Sequence, residues 1–349
     1  MSFKNYIMLS IMASLFSEAT AYRFDYHDAP IRQSDSRRYV EDNRYWVHTE
    51  YFNSKIGKTI RCIDYCVDSR HYSVNLHIWY PDALNHNEIF MFAPYRKNDL
   101  DARIKALIKR GFSHEDAFKL DDVYCYAIDN CQLTSETLCP LLFFCTGDLG
   151  TCAGDYTAMC EKLASKGYVV VALENTHENR LTINDIEYAY LAMRTYNTTT
   201  EDMFYNQMDF ARAGIIGHLH GGSLAYTMCT QNDRFKAGIS LDGMPFITDK
   251  AYCDNDVPFM IMFSEEMHND TETYNVPNAH LYQQYVPIAV TIPKLKRNGF
   301  SDLAILKDLP PYKDNKQLLD LEALAGTVEG EKTITLINTY IVDFFAKNL

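Results

Sequence analysis

The residues that could do chemistry gather around one glycine-rich run, Gly217-His218-Leu219-His220-Gly221-Gly222. It follows an apolar stretch, Ala213-Gly214-Ile215-Ile216, and precedes a helical one from Ser223 to Thr230. A strand, a G-x-S-x-G turn and a helix make a nucleophile elbow, which lifts its central residue above the edge of a sheet. The glycines let the chain turn sharply and let the helix come close. Here the centre is Leu219, which has no group to attack a carbonyl. The spacing is that of an elbow, but the chemistry is absent. A glycine-rich strand-to-helix turn also suits phosphate binding or plain packing. His218, His220 and Ser223 are the nearby substitutes. Ser223 would face along the helix, away from the attack position, and the two histidines read more simply as structural than as nucleophiles. A His218/His220 metal pair lacks a visible third ligand, and no Cys/His set has zinc-site spacing. No metal and no cofactor are expected.

The elements that must position this turn follow an alternating pattern. Leu76-His77-Ile78-Trp79-Tyr80 alternates and stops at Pro81, as a strand does. Leu141 to Cys145 and Tyr168 to Leu173 are short, continuous apolar runs, so buried strands. A Gly-containing loop, Gly147-Asp148-Leu149-Gly150, follows the first of them. Strands are also expected over Ala213 to Ile216, Ala237 to Leu241, Pro258 to Phe263 and Ile288 to Ile292. Helices are expected over about 99 to 112, Asp155 to Lys166, Ile183 to Tyr196, Ser223 to Thr230 and Lys332 to Phe345. Strand–helix alternation with continuous apolar strands implies an α/β fold, with a mostly parallel central sheet and helices on both faces. No internal repeat or low-complexity linker interrupts it, so one domain is expected from residue 22 to 349.

Composition narrows the partners. The chain has 349 residues, 33 basic and 46 acidic, for a net charge of −13. Nucleic-acid binding needs clustered Lys and Arg, so that class is excluded. Lys4, an apolar run from Tyr6 to Phe16 and the small-x-small site Ala19-Thr20-Ala21 have the layout of a secretory signal. The run is too short for a membrane span. Residues 1–21 are expected to be a signal peptide cut before Tyr22, making the chain secreted or extracytoplasmic. All ten cysteines then lie in the mature chain, and an even set in an exported protein suggests disulfides. Cys62/Cys66 and Cys125/Cys131 are plausible local pairs, while Cys145 sits in an apolar run and reads equally as a buried thiol. Asn197-Thr198-Thr199 and Asn269-Asp270-Thr271 are glycosylation sequons.

The neighbourhood of the elbow resembles the platelet-activating factor acetylhydrolase family of lipid esterases, whose elbow reads G-H-S-F-G-G. The resemblance continues through Asp233-Arg234-Phe235-Lys236-Ala237-Gly238-Ile239-Ser240-Leu241-Asp242-Gly243. It takes in Pro140 to Gly150, Tyr168 to Leu173 and Pro258 to Glu265, with a weaker match at Gly326 to Glu331. It covers about residues 40 to 349, most strongly from 140 onward. What it implies is an α/β-hydrolase fold and carboxylic ester hydrolysis without a cofactor.

Carried over position by position, the family's nucleophile falls on Leu219 and its acid on Asp242. Its base falls on Arg297, within Arg297-Asn298-Gly299-Phe300-Ser301-Asp302 against a family pattern like H-x-N-F-x-D. The oxyanion-hole amides fall on Asp148 and His220. Arginine keeps its proton at neutral pH and is no general base. Losing the Ser or the His of a triad costs roughly a factor of a million in turnover. The resemblance with these departures implies a lipid- or ester-binding pseudoenzyme. The alternatives are an active phospholipid esterase with a divergent site and a protein-interaction module on a hydrolase scaffold. The partner expected is a phospholipid or short-chain ester. The helix over 99 to 112, apolar on one face and basic elsewhere, either meets a lipid surface or packs on the domain. Without its base, Asp242 is either hydrogen-bonded in the interior or paired with Arg297.

Overall fold

The computed structural model describes residues 45–46, 59–69, 72–82, 92–94, 108, 113–118, 123–129, 137–147, 151–174, 180–243, 257–273, 288–308 and 319–349. The signal segment and its cleavage site, Asp148, Cys131 and Cys253 lie outside them, as does the helix expected over 99 to 112 apart from Ile108. Ile108 is half-buried against the core.

The strands are β1 (Tyr45–Trp46), β2 (Thr59–Ser69), β3 (Tyr72–Asp82), β4 (Phe92–Pro94), β5 (Val123–Asp129), β6 (Cys139–Cys145), β7 (Val169–Leu173), β8 (Met208–His218), β9 (Ala237–Leu241), β10 (Phe259–Ser264) and β11 (Ile288–Ile292). They form one sheet in the order β1-β5-β2-β3-β7-β6-β8-β9-β10-β11, with β4 on β5. β2 and β3 are an antiparallel hairpin, and β3 joins β7 antiparallel. From β7 to β11 every pairing is parallel. This is the mostly parallel sheet expected from the continuous apolar runs.

Side-chain alternation divides the core between the two faces. Leu142, Phe144, Val170, Ala172, Ile216 and Ile239 point to one side. There they meet α2 (Thr157–Ser165) through Met159 and Leu163, and α8 (Gly330–Asn348) through Ile334, Ile337, Ile341 and Phe344. Leu141, Phe143, Cys145, Val169, Val171 and Ile215 point to the other. There they meet α3 (Ile183–Thr198) through Ile186, Ala189 and Met193, and α4 (His220–Gln231) through Leu224, Ala225 and Met228. The remaining helices are α1 (His114–Phe118), α5 (Glu265–Thr273), α6 (Leu303–Leu306) and α7 (Leu319–Ala325).

Several boundaries shift for local reasons. The helix expected from Asp155 begins as a 3-10 turn, Ala153–Tyr156, before α2. Gly167, at φ +100°, follows α2 in the left-handed region and stops it. The helix expected to open at Ser223 opens at His220, because the glycines of the turn join it. α3 starts where expected, behind a capping box. The Thr182 hydroxyl accepts from the Asp185 N–H, and the Asp185 carboxylate accepts from the Thr182 N–H at 2.6 Å.

The cysteine expectation needs one correction. Cys62 and Cys66 lie on the same strand, opposite Trp79 and Asn75. Four residues of strand separate their Cα atoms by about 13 Å, whereas a disulfide tolerates at most about 7 Å. Spacing alone suggested a local pair, and the hairpin holds the residues between them extended. Among the described residues Cys139, Cys145, Cys152, Cys160 and Cys229 form no disulfide, and all but Cys152 are buried. Burial pushes the Cys145 and Cys229 thiols well above their ordinary range, so they are inert hydrophobes. Among the described residues no helix is long and apolar enough to cross a membrane, and no cluster of His, Cys, Asp and Glu could hold a metal ion.

Candidate active site

The site is built where β8, β9 and β10 end. Between β8 and α4 a single residue makes the turn. Leu219 has φ +48° and ψ −116°, a strained backbone for any residue with a side chain. Its N–H donates to the Leu241 carbonyl at 2.8 Å, and its carbonyl accepts from the Ser223 N–H at 3.2 Å. The approach is close enough to demand glycine on either side. A methyl at Gly217 would lie 2.0 Å from the Gly221 carbonyl oxygen, and one at Gly221 would lie 2.3 Å from that of Cys145. The turn is therefore an elbow in geometry, with leucine at its apex.

The flanking histidines are held by main-chain carbonyls. His218 is 1% exposed. Its Nε2 lies 2.9 Å from the Arg297 carbonyl, which can only accept, so Nε2 carries the proton. In the neutral ring, Nδ1 then accepts from the Tyr156 hydroxyl at 2.7 Å. His220 Nε2 donates to the Leu181 carbonyl at 2.9 Å in the same way. Both rings therefore tie the elbow to its surroundings. The His220 main-chain amide opens α4, where N–H groups are not used by the helix's own ladder. Thr146, two residues before Asp148 in the sequence, is buried and donates to the Leu173 carbonyl at 3.0 Å.

Asp242 follows β9 with φ +53° and is 2% exposed. Its N–H donates to the Met262 carbonyl at 2.9 Å, and its Oδ1 accepts from the Ser264 N–H at 2.7 Å. Among the described residues its Oδ2, which is buried, has no hydrogen-bond partner. Burial pushes its pKa up to about 7, against the pull of the Ser264 bond and the Arg297 charge, with Glu266 adding to the rise.

Arg297 opens a 3-10 turn, Arg297–Phe300, five residues past β11. Its N–H donates to Glu266 Oε2 at 3.0 Å and its Nη2 lies 3.3 Å from Met267 Sδ. Both partners belong to α5, which starts straight after Ser264. The Asp242–Arg297 pairing is corrected here. Among the described residues no basic group comes within ion-pair distance of the Asp242 carboxylate, because the guanidinium turns toward Met267. The segment's far end is fixed by Asp302. Its carboxylate accepts from Thr157 N–H at 2.9 Å and Ala158 N–H at 3.2 Å, at the start of α2.

Leu219, Asp242 and Arg297 are thus brought into one chain of contacts, while the His220 ring is held separately by Leu181. Leu219 bonds to Leu241, Asp242 to Ser264, the α5 residues to Arg297, and Arg297 back to His218. Tyr156, Ser264, Met267 and Asp302 complete it, and the sequence reading had given them no role. Only Asp302 carried a signal, as the last residue of the pattern that begins at Arg297.

A family model described as platelet-activating factor acetylhydrolase, isoform II, matches residues 51–183, and one described as PET hydrolase-like matches residues 152–284. A probable 1-alkyl-2-acetylglycerophosphocholine esterase of Arthroderma benhamiae is 22% identical over 246 residues, 60% of this chain and 60% of that protein's length. Over part of its length the chain is similar to platelet-activating factor acetylhydrolases, and its fold is that of the α/β-hydrolases. A ferulic acid esterase from Streptomyces cinnamoneus shares the fold of this chain, with a TM-score of 0.62 at 21% identity over 85% of this chain and 91% of that one. The second family match contains Leu219 and Asp242, and Arg297 lies outside both.

Proposed function

We propose that this acetylhydrolase-like chain is exported, binds a phospholipid or short-chain ester, and has lost ester hydrolysis. Leu219 carries the proposal, because it holds the strained apex of the elbow without a nucleophile. Arg297 supports it from the base position, where a guanidinium cannot take a proton. His218 and His220 offer no replacement, since each ring is fixed by a carbonyl. The esterase named for the Arthroderma relative supplies the ligand class: a glycerophosphocholine bearing a short acyl chain. Losing a triad Ser or His lowers turnover by roughly a factor of a million. Purified protein should therefore leave a short-chain ester and an acetylated glycerophosphocholine intact over hours, while equilibrium dialysis detects binding of the phospholipid. Turnover by the unaltered chain refutes the proposal. Leu219→Ser combined with Arg297→His should bring hydrolysis back; if it does not, the pocket has decayed as well as the triad.

A further inference from the structure

The two sequons differ in what the fold has done with their asparagines. Asn197, near the end of α3, is half-buried, and its carboxamide closes the loop from Thr199 to Asn206. Its Oδ1 accepts from the N–H groups of Gln207 and Met208, both at 2.9 Å. Its Nδ2 donates to the Met208 carbonyl at 3.2 Å, and its main-chain carbonyl accepts from Asn206 at 2.9 Å. A sugar on Nδ2 would replace one of its hydrogens and sit against the Gln207–Met208 backbone, where β8 begins. A chain modified there would carry a sugar beside a half-buried carboxamide that already makes three hydrogen bonds in this loop. Asn269 is on α5 and exposed, next to exposed His268 and two residues after buried Met267. Among the described residues its carboxamide makes no hydrogen bond, so a substituent on Nδ2 displaces no contact and projects into solvent.

We infer that Asn269, and not Asn197, is the N-glycan acceptor of the folded, exported chain. The inference rests on the export reading, because the donor is met only on a eukaryotic secretory route. In the reaction, Asn269 Nδ2 loses a proton and bonds to the anomeric carbon of an oligosaccharide carried on a lipid diphosphate. The sugar–phosphate bond breaks, and the lipid diphosphate leaves with the electron pair. The glycan then stands on the outer side of the helix whose inner side touches Arg297. That side of the site is kept in solvent and away from flat contact with a membrane.

The test expresses the full chain in a eukaryotic secretory host, once behind its own first 21 residues and once behind a heterologous leader. Secreted protein is weighed intact before and after enzymatic deglycosylation, and the site is read by peptide mapping. One glycan is expected, at Asn269, and Asn269→Gln should remove it. Asn197→Gln should keep the glycan and lower the melting temperature, because the longer side chain cannot reproduce three hydrogen bonds. A glycan on Asn197 in secreted protein overturns the inference. So does secretion behind the heterologous leader with no glycan at all, or retention of that chain in the cell. A glycan on Asn269 behind the heterologous leader, with no secretion behind the chain's own first residues, sustains the site and refutes export.

Discussion

Asp242 gives the sharpest test of the site's electrostatics. Its carboxylate is buried, accepts one hydrogen bond through Oδ1, and leaves Oδ2 without a partner. Burial raises its pKa to about 7. The unfolded chain returns it to about 3.9, and each pH unit of difference corresponds to about 1.4 kcal/mol, so the full effect is about 4 kcal/mol. The sign follows from proton counting. Between pH 4 and 7 the folded state holds the proton more tightly than the unfolded one, so stability is present below about pH 4 and is lost as pH rises to about 7. Asp242→Asn removes this dependence. The amide oxygen keeps the Ser264 bond, and the new NH2 sits at the position of Oδ2. At pH 5 the parent is protonated and presents an equally unpartnered O–H at the same place, so the new donor adds little there. The variant should be close to the parent in stability at pH 5 and more stable at pH 8. The difference between the two proteins should change by about 3 kcal/mol across that interval. Urea unfolding at both pH values measures it directly. If the difference moves by less than about 1 kcal/mol, Asp242 does not sit in the environment described.

Three further substitutions test the scaffold around it. Leu219→Val puts a β-branched residue at φ +48°, and should lower stability by about 1–2 kcal/mol in thermal unfolding, whereas Leu219→Gly, which has no Cβ to clash there, should not. Tyr156→Phe removes the hydroxyl bonded to His218 and strands a buried ring nitrogen, with an expected loss of about 1–3 kcal/mol by urea titration. Asp302→Ala uncaps α2 at two amides, with an expected loss of about 1–2 kcal/mol and faster hydrogen exchange at Thr157 and Ala158.

The fold was largely legible because its signals are local. Val169-Val170-Val171 reads as a buried parallel strand from its branching and continuity alone, and the glycine spacing around Leu219 reads as a strand-to-helix turn. The network that supports the site was not legible, because its partners are far apart in the chain. Tyr156 is 62 residues before His218, and the Arg297 carbonyl is 79 after it. No periodicity links them, and a main-chain acceptor has no residue type to recognise. The Cys62/Cys66 pairing failed for a related reason. A spacing of four suits a turn as well as a strand, and only the partner, β3, decides between them. The Asp242–Arg297 pairing failed because opposite charges at neighbouring positions say nothing about which way a long side chain turns.

The persistence of the elbow has a physical cause apart from catalysis. A residue at φ +48° with a side chain costs on the order of 1–3 kcal/mol. In a nucleophile elbow that strain presents the attacking group, and here leucine gains no chemistry from it. The turn stays because its neighbours leave it nowhere to relax. Gly217 and Gly221 are locked at contact distance against facing backbone, Leu219 is bonded to Leu241 on one side and Ser223 on the other, and His218 is bonded across to Arg297. These contacts involve backbone and histidine, none of them the side chain at position 219. A nucleophile can therefore be exchanged for leucine while every restraint on the turn remains. For the same reason, introducing two side chains, Leu219→Ser and Arg297→His, asks nothing new of the backbone. Collapse of the elbow would require changes among the glycines.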